Sequence, residues 1–303
     1  LTSQLSEPLD TRTVRIVGRI DPKRLSLHAG TLRPVQRFEE KAELAARAGF
    51  GAWALRGVEL EAYLAEGRTI DDVRRLNEQH GLTISETGSL MQWQFTGGVP
   101  LLNTFQRPPG VSDDQLRSRA DRLLGWTRDL GCDLVAAIAA NEADGTVDEA
   151  VRDFRRVCEM AARHRVRVAL EVLGFGTHFH TLAQAWEVVR RAECENGGLL
   201  LDTYHFHRGG STLEMLDAVP GDRLYLVHLA DVPAGPREEA QDDGRLPPGE
   251  GAGPLRDIVK RVLDKGYQGY FVVEVLSQSL WREEPLAVAR RCHAGAVRIL
   301  ESV

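Results

Sequence analysis

Arg167-Val168-Ala169-Leu170-Glu171-Val172 is a short apolar run, rich in β-formers, that ends in one carboxylate and closes on Leu173-Gly174. Three later stretches repeat the design: Leu199-Leu200-Leu201 runs into Asp202, Leu224-Tyr225-Leu226-Val227 into His228, and Tyr270-Phe271-Val272-Val273 into Glu274. Continuous apolar runs bounded by polar residues or glycine are what a central parallel strand looks like, because both of its faces are covered. The end residues are separated by 31, 26 and 46 positions. The first two spacings match one strand-helix unit, since a βαβ motif takes roughly 30 residues; the third is one unit plus a long loop.

A carboxylate at the end of an apolar strand is costly unless it is paired or coordinated. One would be explained by a structural salt bridge. Four ionisable groups on successive units point to a shared site, because the C-terminal strand ends of a (β/α)8 barrel converge on one face. Glu171, Asp202, His228 and Glu274 would form a hard, oxygen-rich site. That chemistry suits one divalent metal ion, Mn²⁺ first, with Mg²⁺, Co²⁺ or Zn²⁺ also compatible.

Working outward, the whole chain alternates strand and helix. Arg24–His28 reads as the first strand, Pro34 opens a helix to Ala48, and Ala52–Leu55 is the second strand, ending at Arg56. A helix ends at His80, and Leu82–Ser85 is the third strand, followed by a long segment from Glu86 to Gly110. Ser112 to Leu130 is helical, Asp133–Ile138 is the fourth strand, and Thr146, with Glu149 three residues on, caps the next helix. Beyond Glu171, a helix covers Thr181 to Ala192, Ser211 caps a short helix to Asp217, and a second long loop runs from Asp231 to Gly253. Pro254 to Lys265 and Pro285 onward close the count of eight units. The fold expected is α/β, a single (β/α)8 TIM barrel over residues 23–303, preceded by an N-terminal extension, 1–22.

The 303 residues suit such a barrel with loops, which typically needs about 250. A formal net charge of −6 gives no general pull toward nucleic acid or an acidic membrane. Four separated cysteines form no zinc-ribbon spacing, and with no apolar run of about 18 residues and no signal-peptide core, a cytoplasmic protein is expected. There is no nucleotide-binding GxGxxG after the first strand, no phosphate-cradling P-loop and no GxSxG elbow. Metal-assisted chemistry on a hydroxylated compound remains.

Around the four ligands, His205 lies three residues past Asp202 and is expected to hold a substrate hydroxyl or to support a ligand by a hydrogen bond. Arg56 at the end of the second strand, Arg245 in the loop after the seventh, His178 after the fifth and Trp93 in the long third loop are the other expected substrate contacts. Met91 and Phe95 would join Trp93 in an apolar wall. Asp231 would belong to a charged loop able to close over a ligand, or equally to a solvated one.

The stretches Leu170-Glu171-Val172-Leu173-Gly174, Leu200-Leu201-Asp202-Thr203-Tyr204-His205-Phe206-His207, Val227-His228-Leu229-Ala230-Asp231 and Val272-Val273-Glu274-Val275 resemble the xylose isomerase-like TIM barrel superfamily. Trp53-Ala54-Leu55-Arg56, the run Glu61-Ala62-Tyr63-Leu64 and Pro248-Gly249-Glu250-Gly251 extend the likeness over most of the chain after residue 24. Within the superfamily the sequence is most similar to the inosose (2-keto-myo-inositol) isomerases and sugar phosphate isomerase/epimerase proteins. Ala54 stands where those isomerases are expected to carry an acid. The resemblance implies a divalent metal chelating a ketone and its neighbouring hydroxyl, with Glu171 and Glu274 moving a proton through an enediolate. A dehydratase of the 3-dehydroshikimate type is the alternative, and a non-catalytic accessory barrel a further one. An endonuclease IV-like nuclease would need additional His and Asp ligands that do not fall into place. The apolar last two helices are compatible with a homo-oligomer.

Overall fold

In the computed structural model, which describes residues 21–90, 112–138, 146–176 and 179–303, the eight strands form one closed parallel barrel in chain order. They are β1 Leu25–His28, β2 Ala52–Arg56, β3 Thr83–Leu90, β4 Leu134–Ile138, β5 Arg167–Glu171, β6 Gly197–Asp202, β7 Leu224–Leu229 and β8 Phe271–Val273. The helices are α1 Phe38–Ala48, α2 Gly57–Ala65, α3 Ile70–His80, α4 Asp113–Asp129, α5 Val147–Arg163, α6 Leu182–Ala192, α7 Thr203–Arg208, α8 Leu213–Asp217, α9 Leu255–Asp264 and α10 Pro285–Glu301. None of these helices is long and apolar enough to cross a membrane.

Local chemistry sets the helix ends. Thr69, Ser112, Thr146 and Thr181 each accept a hydrogen bond from a backbone amide three residues on, and Asp72, Gln115, Glu149 and Gln184 reach back to the cap amide. Each box satisfies two amides that a helix start leaves without partners. Gly49 and Gly81 close α1 and α3 at φ +104° and +66°, a conformation that costs glycine least. On α5, Val151, Phe154, Val157, Cys158 and Ala161 recur at helical spacing and are all buried against the barrel. Burying a side chain such as Phe154 stabilises the fold by about 1.5–3 kcal/mol relative to leaving it in water.

Two register shifts aim side chains into the barrel. Between β6 and β7, Leu199 faces Leu224 but Leu200 faces Leu226, which brings Asp202 directly opposite His228. Tyr225 is the residue passed over, and Gly198 lies so close to its ring that an added Cβ would sit 2.5 Å from it. Between β2 and β3, Trp53 faces Ile84 but Ala54 faces Glu86. Ser85 is the extra residue, a bulge of the kind that re-aims a side chain. Its hydroxyl lies 2.7 Å from that of Ser26 on β1, across β2, so it points inward; Glu86 points inward as well.

Several expected boundaries change. The third strand does not stop at Ser85: it continues to Leu90, so Glu86 belongs to the strand and not to the long loop. The first helix begins at Phe38, not Pro34, after a 3-10 turn over Ala29–Leu32. Gly57–Ala65 and Thr203–Arg208 are helices that the pattern did not announce. Thr212, not Ser211, caps the helix to Asp217; the Ser211 hydroxyl instead accepts from the Leu182 amide. Most of the N-terminal extension, and Met91, Trp93, Phe95 and His178, lie outside the described residues.

Candidate metal centre and active site

Glu171, Asp202 and His228 stand at or near the C-terminal ends of β5, β6 and β7, and Glu274 follows β8 directly. One donor atom from each lies within 4.8 Å of every other, and all but Glu274 are buried. The four strand ends singled out in the sequence therefore meet at one point.

The centre is wired into its surroundings. Asp202 divides its two oxygens: Oδ1 accepts from the His205 amide and caps α7, while Oδ2 lies 2.8 Å from Arg245 Nη1. Glu274 accepts from the same Arg245 nitrogen at 3.0 Å and stands 3.0 Å from His28 Nδ1 at the end of β1. His228 presents Nδ1 to Glu274 Oε2 at 3.3 Å and Nε2 to Glu86 Oε1 at 2.7 Å. Arg245, fully buried, also reaches Asp242 and His205 Nε2.

These contacts push the proton affinities apart. Burial, reinforced by Glu274 and Asp202, holds the Glu171 carboxyl well above the usual carboxylate range. Burial acts the same way on Glu274, but His28, Arg245 and His228 outweigh it and hold that group well below the range. For His228, burial disfavours the charged ring, yet Glu86 and Glu274 raise its proton affinity well above the ordinary histidine value. His205 goes the other way, lowered by burial and by Arg245. A separation of this kind between neighbouring groups is a mark of acid-base chemistry.

The residues present fit a divalent cation. Glu86, Glu171, Asp202 and Glu274 bring four carboxyl groups to one buried centre, and Arg245 supplies one permanent positive charge there. Three carboxylate oxygens and an imidazole nitrogen are donors that Mn²⁺, Mg²⁺, Co²⁺ and Zn²⁺ accept. A cavity of about 340 Å³ opens over the cluster, within the size range of small-molecule sites. Its wall includes Arg33, Arg56, Trp126 and Leu276.

Among the expected substrate contacts, His205 and Arg245 lie at the centre. Arg56 lines the cavity, with Nη1 on Glu59 Oε1 at 2.8 Å. Asp231 does not belong to a charged flap. It is buried and accepts from the amides of Val232, Gly249 and Gly253, which makes it the anchor of the loop carrying Arg245. His180, which follows the expected contact His178 in the same loop, places Nδ1 2.8 Å from the Gly209 carbonyl oxygen. Sequence reasoning passed over His28, Glu86 and Asp242. His28 had the same signal as the four ligands, an ionisable residue closing an apolar strand; Glu86 was hidden by the bulge.

The family model for xylose isomerase-like TIM barrels matches residues 42–292. The chain belongs to that family. Among its relatives, a 3-dehydroshikimate dehydratase of Pseudomonas aeruginosa is 30% identical over 245 residues, covering 78% of this chain and 36% of the relative. The chain thus spans about a third of the length of that dehydratase. An inosose isomerase of Halalkalibacterium halodurans is 32% identical over 144 residues, 46% of this chain and 51% of the relative. Solved structures share the fold: an IOLI protein with a binding zinc atom has a TM-score of 0.80 at 21% identity, covering 92% of this chain and 98% of that one. The relatives include both isomerases and dehydratases, so family membership supports an enzyme and leaves its reaction class open.

Proposed function

We propose that the protein is a divalent-metal-dependent isomerase or epimerase of a small polyhydroxylated ketone, a keto-cyclitol or ketose, acting by proton transfer through an enediolate. The observation that carries this reading is the convergence of Glu171, Asp202, His228 and Glu274 within 4.8 Å at the catalytic face of the barrel. These four would hold the ion, with Mn²⁺ the first choice; a zinc atom is the ion named for the IOLI structure. A divalent ion there supplies Lewis acidity, polarising a ketone and lowering the pKa of the adjacent C–H.

The protein's own groups do the rest. Glu171 has the higher proton affinity of the two glutamates and is, once ionised, the stronger base; it takes the proton from the carbon beside the carbonyl. Glu274, held toward its ionised form by His28 and Arg245, would take up the proton of the neighbouring substrate hydroxyl as the enediolate forms and then give it to carbon, while Glu171 returns its own proton to oxygen. Return to the neighbouring carbon isomerises the substrate, and return to the opposite face of the same carbon epimerises it. Arg245 holds Asp202, Glu274 and Asp242 in place with His205 beside it, and Arg56 with Arg33 lines the approach, where substrate oxygens would be met.

The second reading is a dehydratase of 3-dehydroshikimate type, in which the same proton abstraction is followed by loss of a β-hydroxyl. It is favoured by the relative matched over 78% of this chain. Metal-stripped protein, resupplied with Mn²⁺, Co²⁺, Mg²⁺ or Zn²⁺ and incubated in D₂O with keto-cyclitols, ketoses and 3-dehydroshikimate, separates the two by proton NMR. Metal-dependent deuterium uptake without a conjugated product supports the isomerase. A conjugated, ultraviolet-absorbing product establishes the dehydratase, and no exchange with any compound despite bound metal argues for an accessory barrel.

A further inference from the structure

Glu86 is 1% exposed, and among the described residues its Oε1 has one hydrogen-bond partner, His228 Nε2 at 2.7 Å, while its Oε2 has none. A buried carboxylate with so little support is expensive unless its one partner is an N–H. Glu86 therefore requires the Nε2 proton of His228. That requirement leaves Nδ1 as the nitrogen with a lone pair to give, and Nδ1 is the atom turned to the carboxylates, 3.3 Å from Glu274 and 3.9 Å from Asp202.

The chain goes out of its way to make this contact. Ser85 already points into the barrel, and regular alternation would turn the next residue outward. The bulge between β2 and β3 cancels that alternation and puts Glu86 inside as well. His228 and Glu86 lie 142 residues apart on strands that are not neighbours, so the bond spans the barrel.

We propose that Glu86 is a positioning residue of the metal centre: it fixes the ring orientation and tautomer of His228, so that Nδ1 serves as the ligand. The inference rests on the metal-site reading of the four donors and holds whichever reaction they support. Carboxylate partners of ligating histidines typically contribute 10–100-fold in metal affinity.

The test is calorimetric titration of the metal-stripped protein with Mn²⁺, for the wild type, Glu86→Ala and Glu86→Gln. Thermal unfolding of the metal-free variants serves as the fold check. Glu86→Ala is expected to lose about 10–100-fold in affinity. Glu86→Gln, whose amide oxygen still accepts from Nε2–H, should recover part of it, whereas Glu86→Met, titrated beside them, fills the space without an acceptor and should not; equal recovery by Met would show a merely space-filling role. Independently of any variant, long-range ¹H–¹⁵N spectra of the Zn²⁺-loaded wild type should show the His228 proton on Nε2 and the metal on Nδ1. An Ala variant that binds like the wild type, or a ring coordinated through Nε2, overturns the proposal. Wild-type protein that takes up neither ion overturns the metal reading as well. A normal Glu86 effect with no turnover on any ketone removes only the proposed reaction.

Discussion

Arg245 places Nη1 2.8 Å from Asp202 Oδ2 in the interior of the barrel mouth, and the same nitrogen lies 3.0 Å from Glu274 Oε2. One guanidinium thus compensates two groups that are expected to bind a cation. Removing one partner of a buried ion pair typically costs about 3–5 kcal/mol, because the other charge is left unpaired. Arg245→Ala should lower the stability of metal-free protein by an amount of that order, and a divalent cation should stabilise the variant more than it does the wild type. Denaturant unfolding with and without Mn²⁺ reads both effects. Equal metal-induced stabilisation in the two proteins would show that Arg245 does not share charge compensation with the ion.

The two glutamates should fail differently. Glu171→Gln removes the stronger base and should abolish both turnover and solvent deuterium exchange at the carbon beside the carbonyl. Glu274→Gln should lower turnover by about 10²–10⁴-fold while keeping the fold and leaving exchange above that of the Glu171 variant. Turnover near wild type in a verified Glu274→Gln protein would refute the assigned role.

Metal affinity should rise with pH. The carboxyl of Glu171 and the imidazole of His228 both hold protons more tightly than usual in the metal-free site. Each must release its proton before it can act as a donor, so at a pH between the ordinary and the raised value the incoming ion competes with a proton. Lower pH then weakens binding and higher pH strengthens it until both groups are ionised. Titration calorimetry in buffers of different ionisation enthalpy should register net proton release on binding. Proton uptake, or none, across neutral pH would contradict the burial and charge argument.

Asp231 holds the loop that delivers Arg245. Its carboxylate accepts from Val232, Gly249 and Gly253, and Gly251 packs against it too closely to admit a Cβ. Asp231→Ala should destabilise the fold by at least about 2 kcal/mol, given that a hydrogen bond to a charged group contributes roughly 1.5–3. It should also lower kcat, because displacing Arg245 removes a charge that holds the Glu274 proton affinity down. Loop cleavage by protease should quicken in parallel. A variant with unchanged protease sensitivity would place the loop's rigidity elsewhere.

The amino-acid sequence by itself determined the barrel and the four strand-end residues that converge on one face of it. Apolar runs closing on Glu171, Asp202, His228 and Glu274 are one-dimensional signals, and a closed parallel barrel leaves their C-terminal ends nowhere to go but one face. Helix caps such as Thr146 with Glu149 were equally legible, since both partners lie within one turn. Only the tertiary structure decided what surrounds the donors. Glu86 reaches His228 because a one-residue register shift turns it inward, and strand alternation read along the chain assigns it to a loop. Asp202 faces His228 because β6 and β7 shift by one at Tyr225. Asp231 became an anchor because three loop amides converge on it. Register is a property of two strands together, fixed by packing against neighbours far away in sequence, and no single strand's pattern contains it.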